Sequence, residues 1–410
     1  MRRTRSFEKA EVLIAGGESR TGLAVARSLA RRGVPFVVAG KSREVTFRSR
    51  CAKLTALYPS PAEDPAGFID CVHDMVERFG VRLVIPVPDA TLAVLNRYRD
   101  RIEPLARLAT AGAESVANVL DKRRNLTLAR ELGIPCPRQY ELRAPGEIPE
   151  MIAHLGFPIV MKPPDNLNPD APRFPFRVAY ARDERELRDL IARYCPHGVY
   201  PLFQECAVGY VHNLCCFAAR GDTVAIHEYH SLRRFRGLGV LRRIVPLHPE
   251  AERHARAMMR ALEWDGVAHL AFFVSHDQKR LWYMETNGRL WGSVQGSIDA
   301  GWDFPWWIYR YFLHGEVPAP GPIRTGSRTC WHAGDLESLL DYFGGGDPPA
   351  TGARVGKPRA TLQYLSGFAP GIHADVFRWS DPAPFFHEHW RFARLRARQI
   401  KGWLRDRLRR

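Results

Sequence analysis

The sequence predicts an α/β domain followed by an α+β region and a further C-terminal segment. Between residues 11 and 110, short apolar strands alternate with amphipathic helices, which is typical of a parallel sheet. From about residue 200, strands follow one another across glycine turns, which predicts antiparallel hairpins. The 410 residues suffice for two or three domains, and no apolar run approaches the roughly 18 residues of a membrane-spanning helix.

Charge and cysteine content narrow the class of protein. The chain has 60 lysines and arginines against 44 acidic residues, a net charge of +16 that suits nucleic acid, an anionic membrane or small polyanions such as nucleotides. Its 8 cysteines include no Cys-x-x-Cys pair, so we predict neither a zinc site nor a disulfide framework. The basic N-terminus leads into charged residues and a strand without the apolar core of a signal peptide, so we expect a cytoplasmic protein.

The first domain opens with a βαβ unit at residues 12–39. Glycines at its strand-to-helix turn, residues 16–22, would expose helix N-terminal amides to an anion. The spacing is not G-x-G-x-x-G and no acidic residue closes the second strand, so a scaffold role is favoured over dinucleotide binding. A helix at Pro65–Phe79, a strand at 83–87 and a helix with Asp89 as its N-cap continue the α/β alternation.

Basic residues mark the starts and ends of later elements. Lys122 follows Asp121 at the beginning of a predicted helix. Lys162 ends an apolar strand at 157–161, and such a strand would fix the base of the side chain while the ammonium reaches a phosphate. Arg242 lies in a basic loop at 231–243, for which a solvated surface loop is the alternative interpretation.

The segment 281–293 contains the densest group of polar residues. It begins as a strand, whose alternation predicts one face with Leu281, Tyr283, Glu285 and Asn287 and another with Trp282 and Met284. Two hard oxygen donors at i and i+2, followed by Arg289, suit a magnesium ion bridging phosphate oxygens, with the guanidinium neutralising the remaining charge. A solvated edge strand fits the spacing alone equally well.

Four motifs together resemble those of the ATP-grasp ligases, in particular the carbamoyl-phosphate-synthase-like and carboligase branch. They are Asp121-Lys122 and the segments 157–163, 204–209 and 285–293, and the resemblance covers about residues 10–315. It implies a Rossmann-like pre-ATP-grasp domain at residues 1–115, a two-lobed ATP-grasp fold at 116–317 and a C-terminal extension at 318–410.

The resemblance also implies an activity and a set of ligands. Such an enzyme uses ATP and Mg²⁺ to activate a carboxylate as an acyl phosphate, joins it to an amine or similar nucleophile, and releases ADP and phosphate. The implied roles are phosphate binding by Lys122 and Lys162, adenine recognition by Gln204, Glu205, Cys206 and Ala207, magnesium binding by Glu285 and Asn287, and catalysis by Arg289 and Arg242. Small carboxylate and amine substrates are the expected partners.

Two departures from the family pattern favour a second hypothesis. The family's first magnesium-binding glutamate is replaced by Ala271, and His269 on the same face is a poor magnesium ligand. The loop at 164–173 is proline-rich and cannot offer a full row of amide donors. The alternative is therefore a non-catalytic nucleotide-binding homologue with a degenerate metal site. Specific nucleic-acid binding ranks last, because the basic residues lack interleaved exposed aromatics outside the tail.

The C-terminal segment predicts a basic amphipathic helix. Its apolar positions, with arginines between them, are Phe392, Leu395, Ile400, Trp403, Leu404 and Leu408. Packing against the protein's own C-terminal region is the favoured interpretation, and peripheral contact with an anionic membrane is the alternative.

Overall fold

The computed structural model describes residues 9–163, 174–176, 178–195, 198–207, 209–346 and 355–408, without the side chains of 398–408. Within these ranges no helix is long and apolar enough to cross a membrane. The strands are β1 (Val12–Ala15), β2 (Phe36–Gly40), β3 (Leu54–Leu57), β4 (Leu83–Pro86), β5 (Arg107–Leu108), β6 (Gln139–Tyr140), β7 (Ile159–Lys162), β8 (Ala179–Ala181), β9 (Leu202–Glu205), β10 (Tyr210–Ala219), β11 (Asp222–Phe235), β12 (Leu238–Val245), β13 (Gly266–Val274), β14 (Leu281–Asn287), β15 (Arg328–Cys330) and β16 (Ile372–Ala374).

The α-helices alternate with these strands. They are α1 (Arg20–Ala30), α2 (Pro65–Phe79), α3 (Asp89–Arg97), α4 (Arg99–Ile102), α5 (Ala113–Leu120), α6 (Lys122–Glu131), α7 (Ile148–Leu155), α8 (Glu184–Tyr194), α9 (Pro249–Ala261), α10 (Val294–Asp299), α11 (Phe304–His314), α12 (His332–Phe343), α13 (Lys357–Leu365) and α14 (Ala383–Leu408). The chain forms two compact units. Unit 1 comprises Met1–Ala109, Tyr229–Pro246 and Arg289–Arg410, and unit 2 comprises Thr110–Glu228 and Leu247–Gly288.

Unit 1 contains the predicted parallel sheet, with strands in the order β3-β2-β1-β4-β5. All four pairings are parallel, as the alternation of strands and helices predicted. Its apolar core includes Leu13, Val37, Phe68 and Val84. The same unit contains residues 229–235 of β11 followed in order by β12, β15 and β16.

Local chemistry sets the helix boundaries of unit 1. Helix α1 begins where the Ser19 hydroxyl accepts a hydrogen bond from the Gly22 amide. A Cβ at Gly22 would lie 2.7 Å from the Gly16 carbonyl oxygen, so only glycine permits this tight strand-to-helix turn. The predicted N-cap of α3 was wrong by one residue, because Pro88 is the cap and Asp89 is the first helical residue. The Asp89 carboxylate instead accepts hydrogen bonds from Arg289.

Unit 2 contains two antiparallel arrangements of strands. One is a four-stranded sheet in the order β6-β9-β7-β8. In the other, β14, β13 and β10 are followed by residues 222–228 of β11. Helix α8 begins at the Asp183 cap and packs Leu187 and Ile191 into the core beneath the four-stranded sheet. The α+β character predicted for this part of the chain is confirmed.

A β-bulge corrects the predicted faces of β14. The register of β13 with β14 shifts between Ala271 and Phe272, so that Met284 is the extra residue. Because the bulge reverses the alternation, Tyr283 lies on the opposite face from Glu285 and Asn287, and the prediction that the three share a face was wrong. The buried face carries Leu281, Tyr283 and Thr286, and the other face carries Trp282, Glu285 and Asn287.

Candidate active site

Strands β13 and β14 bring three polar side chains together on one face of unit 2. Their register places Asn287 opposite His269 and Glu285 opposite Ala271. The Asn287 amide nitrogen donates a hydrogen bond to Glu285 Oε1 at 3.3 Å. All three polar side chains are half-buried. Glu285 and Asn287 thus lie on one face as predicted, although the bulge changes which residues accompany them.

Hydrogen bonds around His269 determine the orientation of the Asn287 amide. The His269 Nε2 atom lies 3.2 Å from Asn213 Oδ1, which can only accept, so Nε2 carries the hydrogen. In the neutral ring Nδ1 then accepts from Asn287 Nδ2 at 3.3 Å. The two N–H groups of Asn287 therefore bond His269 and Glu285, and neither bond uses Asn287 Oδ1, which is the better cation ligand.

Lys162 lies among other residues of the predicted phosphate site. Burial lowers the pKa of its ammonium to about 8, the Glu285 carboxylate opposes this shift and the Lys122 ammonium reinforces it. Cys206 also acts electrostatically on Lys162. The structure therefore brings Lys122, Lys162, Cys206 and Glu285 into one neighbourhood. Two cations beside a carboxylate provide the charge arrangement that a metal-bound polyphosphate requires.

A buried hydroxyl fixes the helix of Lys122 against the strand of Glu285. The Tyr283 hydroxyl bonds Asn125 Oδ1 on α6 and lies 2.5 Å from Thr286 Oγ1 on β14. Burial raises the pKa of this phenol far above its usual value, so the hydroxyl stays protonated and can donate. At the start of α6, the Asp121 side chain accepts from the two amides after Lys122, at 2.8 and 3.2 Å, which holds the first turn in place.

The predicted adenine segment follows β9. Gln204 is buried in β9, which pairs with β6 and β7. Glu205 accepts from Arg138 Nε at 2.6 Å and from the Arg138 amide at 3.0 Å, so its carboxylate is engaged within the protein. Its own amide donates to the Arg138 carbonyl at 3.0 Å. Val208 and the proline-rich loop at 164–173 lie outside the described residues.

The donor set in unit 2 fits one magnesium ion. A Glu285 carboxylate oxygen and Asn287 Oδ1 could each bind the ion, and phosphate oxygens and water normally complete magnesium coordination. Opposite Glu285, the methyl group of Ala271 offers no ligand atom. The His269 ring contacts both Asn213 and Asn287 through its nitrogens, so it orients Asn287 and supplies no carboxylate at the position of Ala271.

The two predicted catalytic arginines lie in unit 1. Arg289 forms a two-pronged ion pair with Asp89, with nitrogen-to-oxygen distances of 2.8 and 2.6 Å. Arg242 is buried, and its Nη2 atom lies 2.5 Å from Asp375 Oδ2. These acidic partners were missed because neither lies near its arginine in the sequence. Asn213 was missed as well, although a polar residue within the apolar strand β10 is a signal that could have identified it.

Comparisons with known proteins agree with this architecture. No family model matches the chain. A crystal structure of N5-carboxyaminoimidazole ribonucleotide synthetase from Thermus thermophilus has a TM-score of 0.58 and 20% identity over 77% of this chain and 81% of that chain. The biotin carboxylase domain of 2-oxoglutarate carboxylase from Hydrogenobacter thermophilus, solved with MgADP and bicarbonate, has a TM-score of 0.61 and 16% identity over 78% of this chain and 74% of that chain.

The chain has the ATP-grasp fold. The resemblance indicated by its four motifs is therefore confirmed. In sequence, the chain is similar to N5-carboxyaminoimidazole ribonucleotide synthase from Synechococcus elongatus, with 26% identity over 193 residues. That match covers 45% of this chain and 46% of the relative, so the chain spans about half the length of the curated relative that it matches.

Proposed function

We propose that the protein is an ATP-dependent ligase that activates a carboxylate as an acyl phosphate and joins it to an amine, releasing ADP and phosphate. The observation that carries this proposal is the grouping of Lys122, Lys162, Glu285 and Asn287 within unit 2 of an ATP-grasp fold. The similar proteins support it, since one is named a synthase of a carboxyamino compound and another was solved with MgADP and bicarbonate.

Each residue in the proposed mechanism binds, orients or neutralises charge. Lys122 and Lys162 hold the ATP phosphates, and Glu285 and Asn287 hold Mg²⁺, which supplies charge neutralisation at the phosphates. The substrate carboxylate attacks the γ-phosphorus as ADP leaves. The uncharged amine then attacks the acyl carbon, phosphate leaves as the carbon–nitrogen bond forms, and the nitrogen releases one proton to the leaving phosphate or to water. This chemistry requires positioning and electrostatic stabilisation more than covalent help, which suits a site built from cations and oxygen ligands.

The remaining predicted site residues have matching roles in the proposal. The segment Gln204–Ala207 would contact adenine through its backbone, since the Glu205 carboxylate is already bonded to Arg138. Arg289 would stabilise the transferred phosphoryl group, and Arg242 would bind the substrate carboxylate. Both guanidiniums are held in fixed orientations by carboxylates of unit 1, which reduces the reorganisation needed when charge develops.

A non-catalytic nucleotide-binding protein is the second candidate, favoured by Ala271 in place of a metal-binding carboxylate. Measuring ADP release with a panel of carboxylic acids and amines distinguishes the two. The ligase predicts substrate-dependent ADP release that Glu285→Gln lowers about a hundred- to thousandfold, because a transition-state electrostatic contact is lost. Retained ATP binding without substrate-dependent ADP release would support the second candidate. Near-native turnover of Glu285→Gln at saturating magnesium would contradict the metal assignment.

The proposal includes a cytoplasmic location and a peripheral contact of α14 with an anionic membrane. A Glu44 carboxylate oxygen lies 3.0 Å from His387 Nε2 and another lies 3.7 Å from an Arg391 nitrogen, and Phe392 is buried, so this part of α14 packs against the rest of unit 1. Leu395 is exposed. The side chains of Ile400, Trp403, Leu404 and Leu408 lie outside the described residues.

Truncation after residue 389 tests the membrane contact. Basic residues near an anionic leaflet contribute about 1 kcal/mol each, so the full chain should co-sediment with phosphatidylserine vesicles at low salt. The truncated protein should lose this binding while it keeps ADP release, and its melting temperature should fall only by the small amount that loss of the Arg391 and Phe392 contacts explains. A large loss of thermal stability would instead show that the removed segment belongs to the core. Cell fractionation tests the proposed location.

A further inference from the structure

Large aromatic side chains are exposed in the last part of unit 1. Around the start of α14, Trp379, Phe386 and Trp390 are 90%, 62% and 55% exposed. Single exposed apolar residues are common on protein surfaces, whereas a contiguous group of them usually indicates an interaction site. Phe386 and Trp390 are four residues apart on α14, so their rings lie on one face of this helix. Two of the three rings are therefore neighbours on the surface.

Ring contacts connect Trp379 to the same group. The half-buried Phe385 ring has its centroid 5.6 Å from that of Phe386 and 5.3 Å from that of Phe377. The Phe377 centroid in turn lies 4.9 Å from that of Trp379. All three pairs meet edge to face, which is a favourable geometry for aromatic rings. Trp379 is therefore packed on rings that also contact α14, and it is not an isolated side chain.

Helix α13 and the turn after it extend the exposed group. Leu362, Leu365 and Phe368 are 67%, 53% and 51% exposed, and the two leucines are three residues apart on one face of α13. The His332 ring lies 4.2 Å from the Phe368 ring and 6.2 Å from the Phe385 ring, which joins this part to the rings near α14. The exposed side chains of both parts form what we call the C-terminal apolar surface: Leu362, Leu365, Phe368, Trp379, Phe386 and Trp390.

The charges around the C-terminal apolar surface are of one sign. Residues 356–397, every one of which the structure describes, include three acidic side chains, Asp375, Asp381 and Glu388. These are only 2%, 6% and 8% exposed. The exposed charged side chains of the same segment are all basic: Lys357, Arg359, Arg391 and Arg394. This part of unit 1 therefore presents cations and apolar groups to solvent and almost no carboxylate.

This combination of groups favours one kind of partner. A second copy of the chain would bring like charges together across a two-fold interface. Single-stranded nucleic acid would stack its bases on the aromatic rings, but the exposed Leu362 and Leu365 offer no ring for stacking. The interface of an anionic membrane accepts every group present, because tryptophan, phenylalanine and leucine enter the boundary between headgroups and acyl chains while arginine and lysine meet the phosphates.

We propose that the C-terminal apolar surface inserts into the interfacial layer of an anionic phospholipid membrane. The inference rests on the membrane contact proposed for α14 and deepens it, because it assigns part of the binding to apolar side chains that precede residue 390. Interfacial binding strengthens with the apolar area buried and with electrostatic attraction to anionic lipids, so both contributions are needed. Trp379 and Phe386 supply the first, and Arg391 and Arg394 belong to the second. The Arg394 guanidinium carbon lies 5.2 Å from the Trp390 ring, so the two kinds of group are adjacent.

Co-sedimentation of the full chain with vesicles of equal parts phosphatidylserine and phosphatidylcholine tests the proposal. Trp379→Ala and Phe386→Ala should each weaken vesicle binding by about fivefold or more, because each removes a large ring from the interface without changing the net charge. Both side chains are well exposed, so the melting temperatures of these variants should match the wild type. Leu105→Ala is the matched control, since it removes a side chain of unit 1 that is 42% exposed and lies outside the C-terminal apolar surface.

Tryptophan quenching by vesicles with brominated acyl chains gives a second measurement. The chain has 10 tryptophans, so the loss of quenching in Trp379→Phe relative to the wild type isolates the ring of interest. Trp379→Phe should keep most of the vesicle binding but lose part of the quenching.

The possible outcomes separate this inference from the membrane contact itself. If the wild type binds vesicles and both alanine variants bind equally well, the insertion is overturned while a purely electrostatic contact of the tail stands. If the wild type binds no anionic vesicles, both are overturned. Binding to single-stranded RNA that the two variants weaken, without vesicle binding, would identify nucleic acid as the partner and overturn the inference. ADP release is measured in the same samples and reports on the ligase function separately.

Discussion

The orientation of the Asn287 amide gives a prediction that can be tested without turnover. His269→Ala removes His269 Nδ1, which accepts a hydrogen bond from the Asn287 amide. The distance from Asn287 Nδ2 to His269 Nδ1 is 3.3 Å. The amide can then rotate and present its N–H groups to a cation, whereas the native arrangement keeps its oxygen available. Loss of such an orienting contact typically lowers metal affinity about 10- to 100-fold. We expect a loss in this range.

Mn²⁺ binding measured by electron paramagnetic resonance, in the presence of a non-hydrolysable ATP analogue, provides the assay. Asn213→Ala should also weaken Mn²⁺ binding, but less than His269→Ala does. It removes only the hydrogen bond between His269 Nε2 and Asn213 Oδ1, which are 3.2 Å apart, and leaves the contact of His269 with Asn287. His276→Ala is the matched control, since it removes an exposed histidine from the same unit. The expected order of affinity is wild type and His276→Ala, then Asn213→Ala, then His269→Ala.

Two results would refute this reasoning. The first is Mn²⁺ affinity in His269→Ala within about twofold of the wild type, which is less than one net hydrogen bond contributes. The second is a pulsed resonance signal from an imidazole nitrogen bound directly to Mn²⁺, because His269 would then be a ligand and not a positioning residue. Wild-type protein that binds no Mn²⁺ with nucleotide would instead contradict the assignment of Glu285 and Asn287.

Three further predictions concern nucleotide binding and stability. Lys162→Ala should weaken ATP binding more than AMP binding, since the ammonium is assigned to the distal phosphates; equal weakening in calorimetric titrations would contradict this. Tyr283→Phe should lower the free energy of unfolding by about 1–3 kcal/mol, because Asn125 loses a buried donor, and an unchanged denaturant midpoint would contradict it. The pKa of Glu388 is raised from its ordinary 4.5 to about 7, so the folded state retains a proton that the unfolded state releases. The stability of the wild type should therefore fall by about 3 kcal/mol between pH 4.5 and 7 relative to Glu388→Gln, and parallel stability profiles would contradict this assignment.

Local signals in the sequence were sufficient to predict much of the fold. The helix Pro65–Phe79 was predicted with its observed bounds, because Asp64 caps it, Pro65 occupies its first position and Gly80 ends it in a left-handed conformation. The βαβ opening followed from a buried apolar strand and a glycine turn in the same way. Such signals depend only on residues within a few positions, so they do not require knowledge of tertiary packing.

The faces of β14 could not be predicted from its own residues. Strict alternation assumes an unbroken ladder, whereas the extra residue Met284 appears only in the pairing with β13. Glu285 and Asn287 share one face as predicted, because the bulge at Met284 precedes both residues. The prediction that Tyr283 lies on the same face was wrong, and its hydroxyl instead contacts Thr286 on the buried face.

Ion-pair partners were beyond prediction for a related reason. Arg289 and Asp89 are 200 residues apart, and Arg242 and Asp375 are 133 apart. Nothing in the local sequence of either arginine specifies its carboxylate, because the contact depends on how distant elements pack. The sequence could therefore indicate the residue type suited to phosphate or carboxylate binding, but not how each guanidinium is oriented within unit 1.

The choice between a ligase and a non-catalytic homologue depends on which group replaces the metal-binding carboxylate that Ala271 lacks. Burial lowers the pKa of Lys162 to about 8, which means that its environment disfavours a charge that a bound polyphosphate would stabilise. This argument favours nucleotide binding under either hypothesis. With Glu285 and Asn287 as the only assigned metal ligands, the phosphates themselves must supply more of the coordination. A ligase built this way should therefore bind Mg²⁺ weakly without nucleotide and strongly with it, and a degenerate site should bind it weakly in both cases.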